Sequence, residues 1–267
     1  MRLDFARAAA SYDEAAVLAR EVNRRMAERL DLVKLAPARI ADIGCATGEG
    51  IRELQRRYPD AIPFAIDFAP AMLAEVVRRA PWLQRLRRRA PRCIAADAQA
   101  LPLAAGTLGL AWSNLMLHWL DDPLPVFREL HRVMEPGSLL MFSALGPDTL
   151  KELRAAGATT LRRFHDMHDL GDMLLAAGFA DPVMEMEKIE FAYANPRSLL
   201  RDQRQLGVRD GLLGPMSFGE GRRVFRAWQA QRREERIPAT FEIVYGHAWK
   251  AAPRTTDGRA IVKLHRK

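Results

Sequence analysis

Between residues 39 and 145, short apolar stretches alternate with helix-patterned segments, and this alternation constrains the fold more than any other feature of the chain. Ile40–Ile43, Pro63–Ile66, Arg92–Ala95, Leu108–Ser113 and Ser138–Ala144 read as buried strands. Helices are expected from the loop after Ile43 to about Tyr58, over Pro70–Arg79 with proline in its first turn, and over Pro123–Met134, ended by Pro136–Gly137. Strands spaced by helices imply right-handed crossovers and a parallel sheet. The first strand runs into Asp42-Ile-Gly-Cys-Ala-Thr-Gly48. A strand that ends in an acid and enters a glycine-rich turn lets a nucleotide-like ligand lie against bare backbone. Ala46 stands at the middle glycine position of such a loop, where its methyl group is tolerated if φ is negative.

The flanking segments read differently. Residues 13–35 carry helical periodicity through Val17, Leu18, Val22, Met26, Leu30 and Val33, closed by Pro37. Thr149–Leu161 is expected as a helix outside the simple alternation. Leu170–Ala177 is expected as another, capped by Asp169 before it and Gly178 after it. Pro182–Tyr193 alternates like a half-exposed strand, and Phe241–Trp249 is a final strand. Residues 195–236 are arginine-rich and helical in pattern, broken by Gly207, Gly211 and Gly214, and the tail from Ala251 is polar. These late helices are expected to cap one domain and not to form a second.

The 267 residues are 49% hydrophobic, enough for a sizeable core. No apolar run reaches membrane-spanning length, so no membrane association is expected. Asp4, Asp13 and Glu14 argue against a transit peptide. Two cysteines, Cys45 and Cys93, cannot build a disulfide scaffold or a four-ligand metal site, and a reducing cytoplasm is the expected compartment. His165, His168 and Asp169 have metal-ligand types, but helix capping is the better reading and no metal is expected. The net charge of +8 gathers in Arg85, Arg87, Arg88 and Arg89; Arg201, Arg204 and Arg209; Arg222, Arg223 and Arg226; and Arg232 and Arg233. Such a field attracts polyanions or an acidic protein. Nucleic-acid binding has no supporting motif.

Four successive strand ends carry polar groups: Asp42 with its loop, Asp67, Asp97, and Ser113–Asn114. In open α/β sheets ligands bind at those ends. Asp67 is placed to accept from both ribose hydroxyls, Asp97 to accept from an adenine amino group, and Asn114 to meet a substrate. A hydride-transfer enzyme would also use a glycine loop and a ribose acid. Glu49 directly after Gly48 suits a diphosphate poorly and an amino-acid cation better.

The loop, with Ala65-Ile-Asp-Phe-Ala-Pro-Ala-Met-Leu73 and Ala96-Asp-Ala-Gln-Ala-Leu-Pro-Leu103, resembles the class I S-adenosylmethionine-dependent methyltransferases. Arg7-Ala-Ala-Ala-Ser-Tyr-Asp13, Trp112-Ser-Asn-Leu-Met-Leu-His-Trp119 and the segment Phe142–Arg154 narrow the likeness to the malonyl-carrier-protein O-methyltransferases of biotin synthesis. The resemblance implies an α/β, Rossmann-like sheet, mostly parallel with the last strand antiparallel, under an N-terminal and inserted helical cap. It implies a lid over 1–37, a methyltransferase domain over 38–250 with insertions at about 148–168 and 195–236, and a tail over 251–267. It implies that Asp42, Gly44, Cys45, Ala46 and Gly48 hold the methionine end of S-adenosyl-L-methionine, that Asp67, Phe68 and Met72 hold the ribose and flank the adenosine, and that Asp97 and Ala98 meet the adenine. Tyr12, Asn114, His118, Trp119 and Arg201 would form the reaction site, with Asn114 also binding the cofactor by facing its sulfur.

The implied reaction methylates the free carboxylate of a malonyl group on an acidic acyl carrier protein, and a monomer is expected. The cap segments Asp148–Leu153 and Asp169–Gly178 also resemble methyltransferase-fold proteins that hydroxylate or methylate an arginine during respiratory complex I assembly. A non-catalytic, cofactor-binding assembly factor is the third reading.

Overall fold

The buried strands assemble as the alternation requires. The computed structural model describes residues 5–82 and 89–252. Seven strands, β1 (Arg39–Ile43), β2 (Ile62–Asp67), β3 (Arg92–Ala95), β4 (Leu108–Ser113), β5 (Met134–Leu145), β6 (Ala180–Tyr193) and β7 (Ile237–Trp249), form one sheet in the order β3-β2-β1-β4-β5-β7-β6. β1 to β5 pair in parallel, and β7 runs antiparallel between β5 and β6. β1 lies between β2 and β4, so the chain moves outward to one edge and then returns to build the other. That reversal is the switch point at which such sheets open a ligand crevice. The loop Asp42–Gly48 leaves the sheet there.

Apolar side chains cover both faces. On one, Val22, Met26 and Leu30 of helix Val17–Leu30 and Ile51 and Leu54 of helix Glu49–Arg57 share a core with Leu199, Val224 and Trp228 of the inserted helices. On the other, Phe127 and Leu130 of helix Leu124–Val133 pack with Leu170 and Leu174 of helix Met167–Ala176. Trp228 is fully buried and donates its indole N–H to the Pro238 carbonyl at 2.7 Å, which ties the inserted helix Phe218–Gln229 to β7. β7 is buried along almost its whole length for that reason, and it starts at Ile237, four residues before the expected Phe241.

Other boundaries also differ from expectation. The N-terminal helix is two pieces, Tyr12–Ala15 and Val17–Leu30, preceded by one turn at Phe5–Ala8, because Ala16 leaves helical geometry at ψ 31°. The helix expected over Thr149–Leu161 spans only Lys151–Ala155. Gly157 turns left-handed at φ +93°, and the Ala158 N–H bonds back to the Leu153 carbonyl, a glycine stop of the kind that ends helices. Asp166, not Asp169, caps helix Met167–Ala176, with Asp169 completing a capping box from its third position. Gly211 lies inside a helical turn, Arg209–Leu212, and does not break it. Pro136–Gly137 lies within β5, with Gly137 at φ +81°. Asp4, Arg85, Arg87, Arg88 and the tail from 253 lie outside the described residues. Among the described residues no helix is long and apolar enough to cross a membrane.

Candidate active site

The glycine loop is anchored before it can bind anything. The backbone N–H groups of Gly44 and Cys45 both donate to the Ile66 carbonyl of β2, at 2.8 and 3.0 Å. Gly44 sits at φ +73° and Gly48 at φ +87°, a region open to glycine at little cost. Ala46 also takes a positive φ, +44°, against the negative value expected of an alanine at this place. It packs against the small cluster of Ala9, Ala69 and Met72, as Phe5 and Tyr12 also do, and its N–H donates to Asp67 Oδ2 at 2.9 Å. That bond and that packing hold the loop in a conformation alanine disfavours by about 1–2 kcal/mol.

Over the loop lies a narrow cleft open to solvent. Its walls include Asp42, Gly44, Cys45, Ala46 and Thr47 from the loop, Tyr12, Ala16 and Arg20 from the N-terminal segment, and Asn114 from the end of β4. Asp42 is buried, and burial pushes its carboxyl up to about 7. Gly50 makes room for it, since a Cβ there would stand 2.6 Å from Asp42 Oδ2. Burial also raises Asp67, although Asp67 accepts from the N–H groups of both Ala46 and Ala69. An ionised carboxylate offers about four lone-pair directions, so two remain for further donors. Tyr12 faces both acids, and burial and their charges hold its phenol protonated far above its ordinary range. Burial pushes the Cys45 thiol well up, which leaves it an inert filler of the loop.

Asn114 has both polar atoms engaged. Its Nδ2 donates to the Ala19 carbonyl at 2.8 Å, and its Oδ1 accepts from Ser143 Oγ at 2.8 Å, so it pins the long N-terminal helix to the strand ends. His118 is buried in the 3-10 turn Leu117–Trp119. Its Nδ1 accepts from the Leu145 N–H, and burial with the nearby Arg162 charge pushes its pKa down to about 3. Arg162 clamps this turn through the carbonyls of His118 and Trp119, at 3.0 and 3.1 Å, and through Asp121. The Phe5 ring meets Phe68 and Trp119 edge-on, with centroids 5.7 and 6.3 Å away. The N-terminal turn thereby covers the side of the loop nearest Phe68 and the buried Met72.

Of the expected residues, Gly48, Asp67, Phe68, Met72, Asp97, Ala98, His118, Trp119 and Arg201 do not line this cleft. Gly48 begins helix Glu49–Arg57 and packs near Val76. Asp97 and Ala98 lie beyond the end of β3, with Asp97 exposed and accepting from the Gln99 N–H. Arg201 is exposed on helix Pro196–Gln205, 4.0 Å from Asp202, and does not line the cleft. The guanidinium on the cleft wall is Arg20, whose Nη1 donates to the Asp13 carbonyl at 2.5 Å. Arg20, Arg162 and Thr47 went unmarked in the sequence. A cation one helical turn into a segment that crosses the loop was the one signal for Arg20.

A cleft with the buried Asp42 in its wall, and with Asp67 bonded to the Ala46 N–H of the loop beside it, suits a ligand that brings its own positive charge and two vicinal hydroxyls. The comparisons with known proteins agree. Residues 41–142 match the family described as "Methyltransferase domain". The chain is 47% identical to the malonyl-(acyl-carrier protein) O-methyltransferase of Gallionella capsiferriformans, over 98% of this chain and 94% of that protein. It is 46% identical to the protein of the same name from Laribacter hongkongensis, over 99% and 95%. Among solved structures, YcgJ of Bacillus subtilis superposes with a TM-score of 0.61 at 12% identity, over 86% of this chain and 98% of that one. Phosphoethanolamine N-methyltransferase 2 of Haemonchus contortus, solved with S-adenosylhomocysteine, superposes at 0.54 with 16% identity, over 86% and 52%. At these identities the two likenesses show the fold alone. The relatives do not favour the arginine-modifying or the non-catalytic reading.

Proposed function

The chain belongs to the malonyl-(acyl-carrier protein) O-methyltransferases, and from that membership we propose that its cleft methylates the free carboxylate of malonyl-acyl carrier protein, an early step of biotin synthesis. The observation that carries the site reading is the pair of buried acids, Asp42 and Asp67, under Tyr12. S-adenosyl-L-methionine, when bound, supplies a methyl carbon activated by a positively charged sulfur. Asp42 and the backbone of Gly44, Cys45 and Ala46, which line the cleft with Arg20, would hold the α-ammonium end, and Arg20 would pair with the α-carboxylate. Asp67 would accept from the ribose hydroxyls, with Phe68 and Met72 beside the adenosine and Gly48 shaping the loop, while Asp97 and Ala98, outside the cleft, would meet only the adenine end.

The nucleophile needs no base. A carboxylic acid of pKa near 4 is already ionised at neutral pH. His118 is neutral there, and its Nδ1 is occupied by the Leu145 N–H, so it fixes the turn against Trp119 and moves no proton. The chain's contribution is alignment and exclusion of water. Opposite charges cancel during the transfer, so a dry site favours it. Phe5, Tyr12 and Trp119 supply that dryness, and the Tyr12 hydroxyl keeps its proton as a donor to the incoming carboxylate.

Asp42 makes the reading testable by pH. An unfolded aspartate ionises near 3.8 and the folded one near 7. The folded chain alone is therefore most stabilised by this group below about 3.8, and that contribution is lost as pH rises through 7. An ammonium beside Asp42 requires the ionised form, so the cofactor must displace the proton. Affinity for S-adenosyl-L-methionine should rise up to about tenfold per pH unit between about 5 and 7 and level off above. Calorimetry near pH 6 in buffers of different ionisation heat should detect proton release, and Asp42→Asn should abolish it. A flat affinity across that range would contradict the assignment.

The carrier protein is acidic and meets the cap. Arg222, Arg223 and Arg226 are exposed on helix Phe218–Gln229, with Phe218 exposed at its start, and among the described residues none of the three is in an ion pair. The enzyme works as a monomer, and its free cysteines, Cys45 and Cys93, suit a reducing cytoplasm. Reversing the three arginines to glutamate should raise KM for the carrier-bound substrate about tenfold or more and leave the cofactor Kd unchanged. An unchanged KM removes this helix from the docking surface.

A further inference from the structure

Residues 11–14 touch a different part of the molecule at each step. Ser11 Oγ donates to the Gln205 carbonyl at 3.4 Å, and Glu14 Oε2 accepts from Gln205 Nε2 at 3.1 Å, so both hold the inserted helix Pro196–Gln205. Tyr12, between them, enters the cleft. Asp13 reaches the opposite way. Its Oδ1 accepts from Thr47 Oγ1 at 2.6 Å, and its Oδ2 pairs with Arg79 at the end of helix Pro70–Arg79. Thr47 belongs to the glycine loop, is 2% exposed, and accepts from Arg52 Nη1 through its own carbonyl at 3.0 Å. Arg79 is steadied by Glu75 at 3.2 Å.

The helical turns Phe5–Ala8 and Tyr12–Ala15 have four residues each, too short to persist without tertiary support. Their apolar support is a small cluster of Phe5, Ala9 and Tyr12 against Ala46, Ala69 and Met72. Asp13 adds the directional contacts, one to the loop and one to the helix that follows β2. Its side chain is 37% exposed, so water weakens the ion pair and the contact can release.

We propose that Asp13 is a positioning residue: through Thr47 and Arg79 it latches the N-terminal segment to the cofactor loop, holding Tyr12 over the reaction centre and slowing cofactor escape. The proposal rests on the reading of this cleft as the methyl-transfer site. It links closure to the loop that holds the cofactor, while Ser11 and Glu14 carry the same segment to the cap on the acyl side.

The test measures S-adenosylhomocysteine release by stopped flow and kcat at saturating cofactor. Asp13→Ala should speed release and lower kcat by about tenfold each, with little change in Tm. Asp13→Asn, which keeps an acceptor for Thr47, should recover part of both. Asp13→Ala combined with the isosteric Thr47→Val should be no worse than Asp13→Ala alone, because the Asp13–Thr47 contact is already lost in the single variant. In a Tyr12→Ala background, Asp13→Ala should no longer change kcat. Unchanged release and kcat in Asp13→Ala, or losses that add independently with Thr47→Val, would overturn the latch. Failure of the wild-type chain to bind S-adenosylhomocysteine at all would instead overturn the reading of the cleft, and the latch with it.

Discussion

Gly44→Ala should cost the chain both stability and its cofactor. At φ +73° an alanine carries the left-handed penalty of about 1–2 kcal/mol. Its methyl carbon would lie 2.4 Å from Met116 Cγ and 2.7 Å from Met116 Cβ. The contact is to the root of that side chain, so a rotamer change of the far end does not relieve it, and overpacking adds about 1–3 kcal/mol. The summed loss of roughly 2–5 kcal/mol should lower Tm by on the order of 10 °C. Any chain that still folds must shift the loop, which moves the Cys45 and Ala46 backbone away from the ligand. Thermal melts and cofactor titration check both effects. A variant with wild-type Tm and Kd would show that the loop does not need this conformation.

Asp67→Ala should produce the second large effect, and it separates two roles of one carboxylate. Its oxygens hold the N–H groups of Ala46 and Ala69, at 2.9 and 2.8 Å, and Asp67 is 7% exposed. Hydrogen bonds to charged acceptors contribute about 1.5–3 kcal/mol each, so the alanine variant should lose about 3 kcal/mol or more of stability. It also removes the acceptor assigned to the ribose, and cofactor affinity should fall by about 100-fold. Asp67→Asn keeps one acceptor and should fall between the wild type and the alanine variant. If Asp67→Ala loses stability and binds cofactor normally, the carboxylate only braces the loop.

The strand ends were legible because a buried strand has a length, an apolar composition and a terminating residue that can be read locally. Asp42, Asp67 and Asn114 fall at those ends in the structure as in the sequence. The left-handed turn at Ala46 was not legible, because packing against Ala9, Ala69 and Met72 and the bond to Asp67 override what alanine prefers alone. The same limit applies to Asp13. Its partners, Thr47 and Arg79, lie 34 and 66 positions away, and no periodicity within the N-terminal segment points to either. Local likeness alone points to Arg201, and the register of helix Pro196–Gln205 turns it to solvent beside Asp202. Arg20 lines the cleft because helix Val17–Leu30 crosses the loop, held there by Asn114 and the Ala19 carbonyl. Residues 149–161 show the helix-versus-extended ambiguity directly: Leu153 and Leu161 are both buried, yet Gly157 ends the helix between them.

The most direct measurement is methyl transfer from labelled S-adenosyl-L-methionine to malonyl-acyl carrier protein, with malonyl-coenzyme A and acetyl-acyl carrier protein alongside. The label should appear on the malonyl carrier as a base-labile methyl ester, and acetyl-acyl carrier protein, which has no free carboxylate, should take none. Transfer to neither malonyl thioester, or equal labelling of the acetyl carrier, would contradict a cleft built to methylate the malonyl carboxylate.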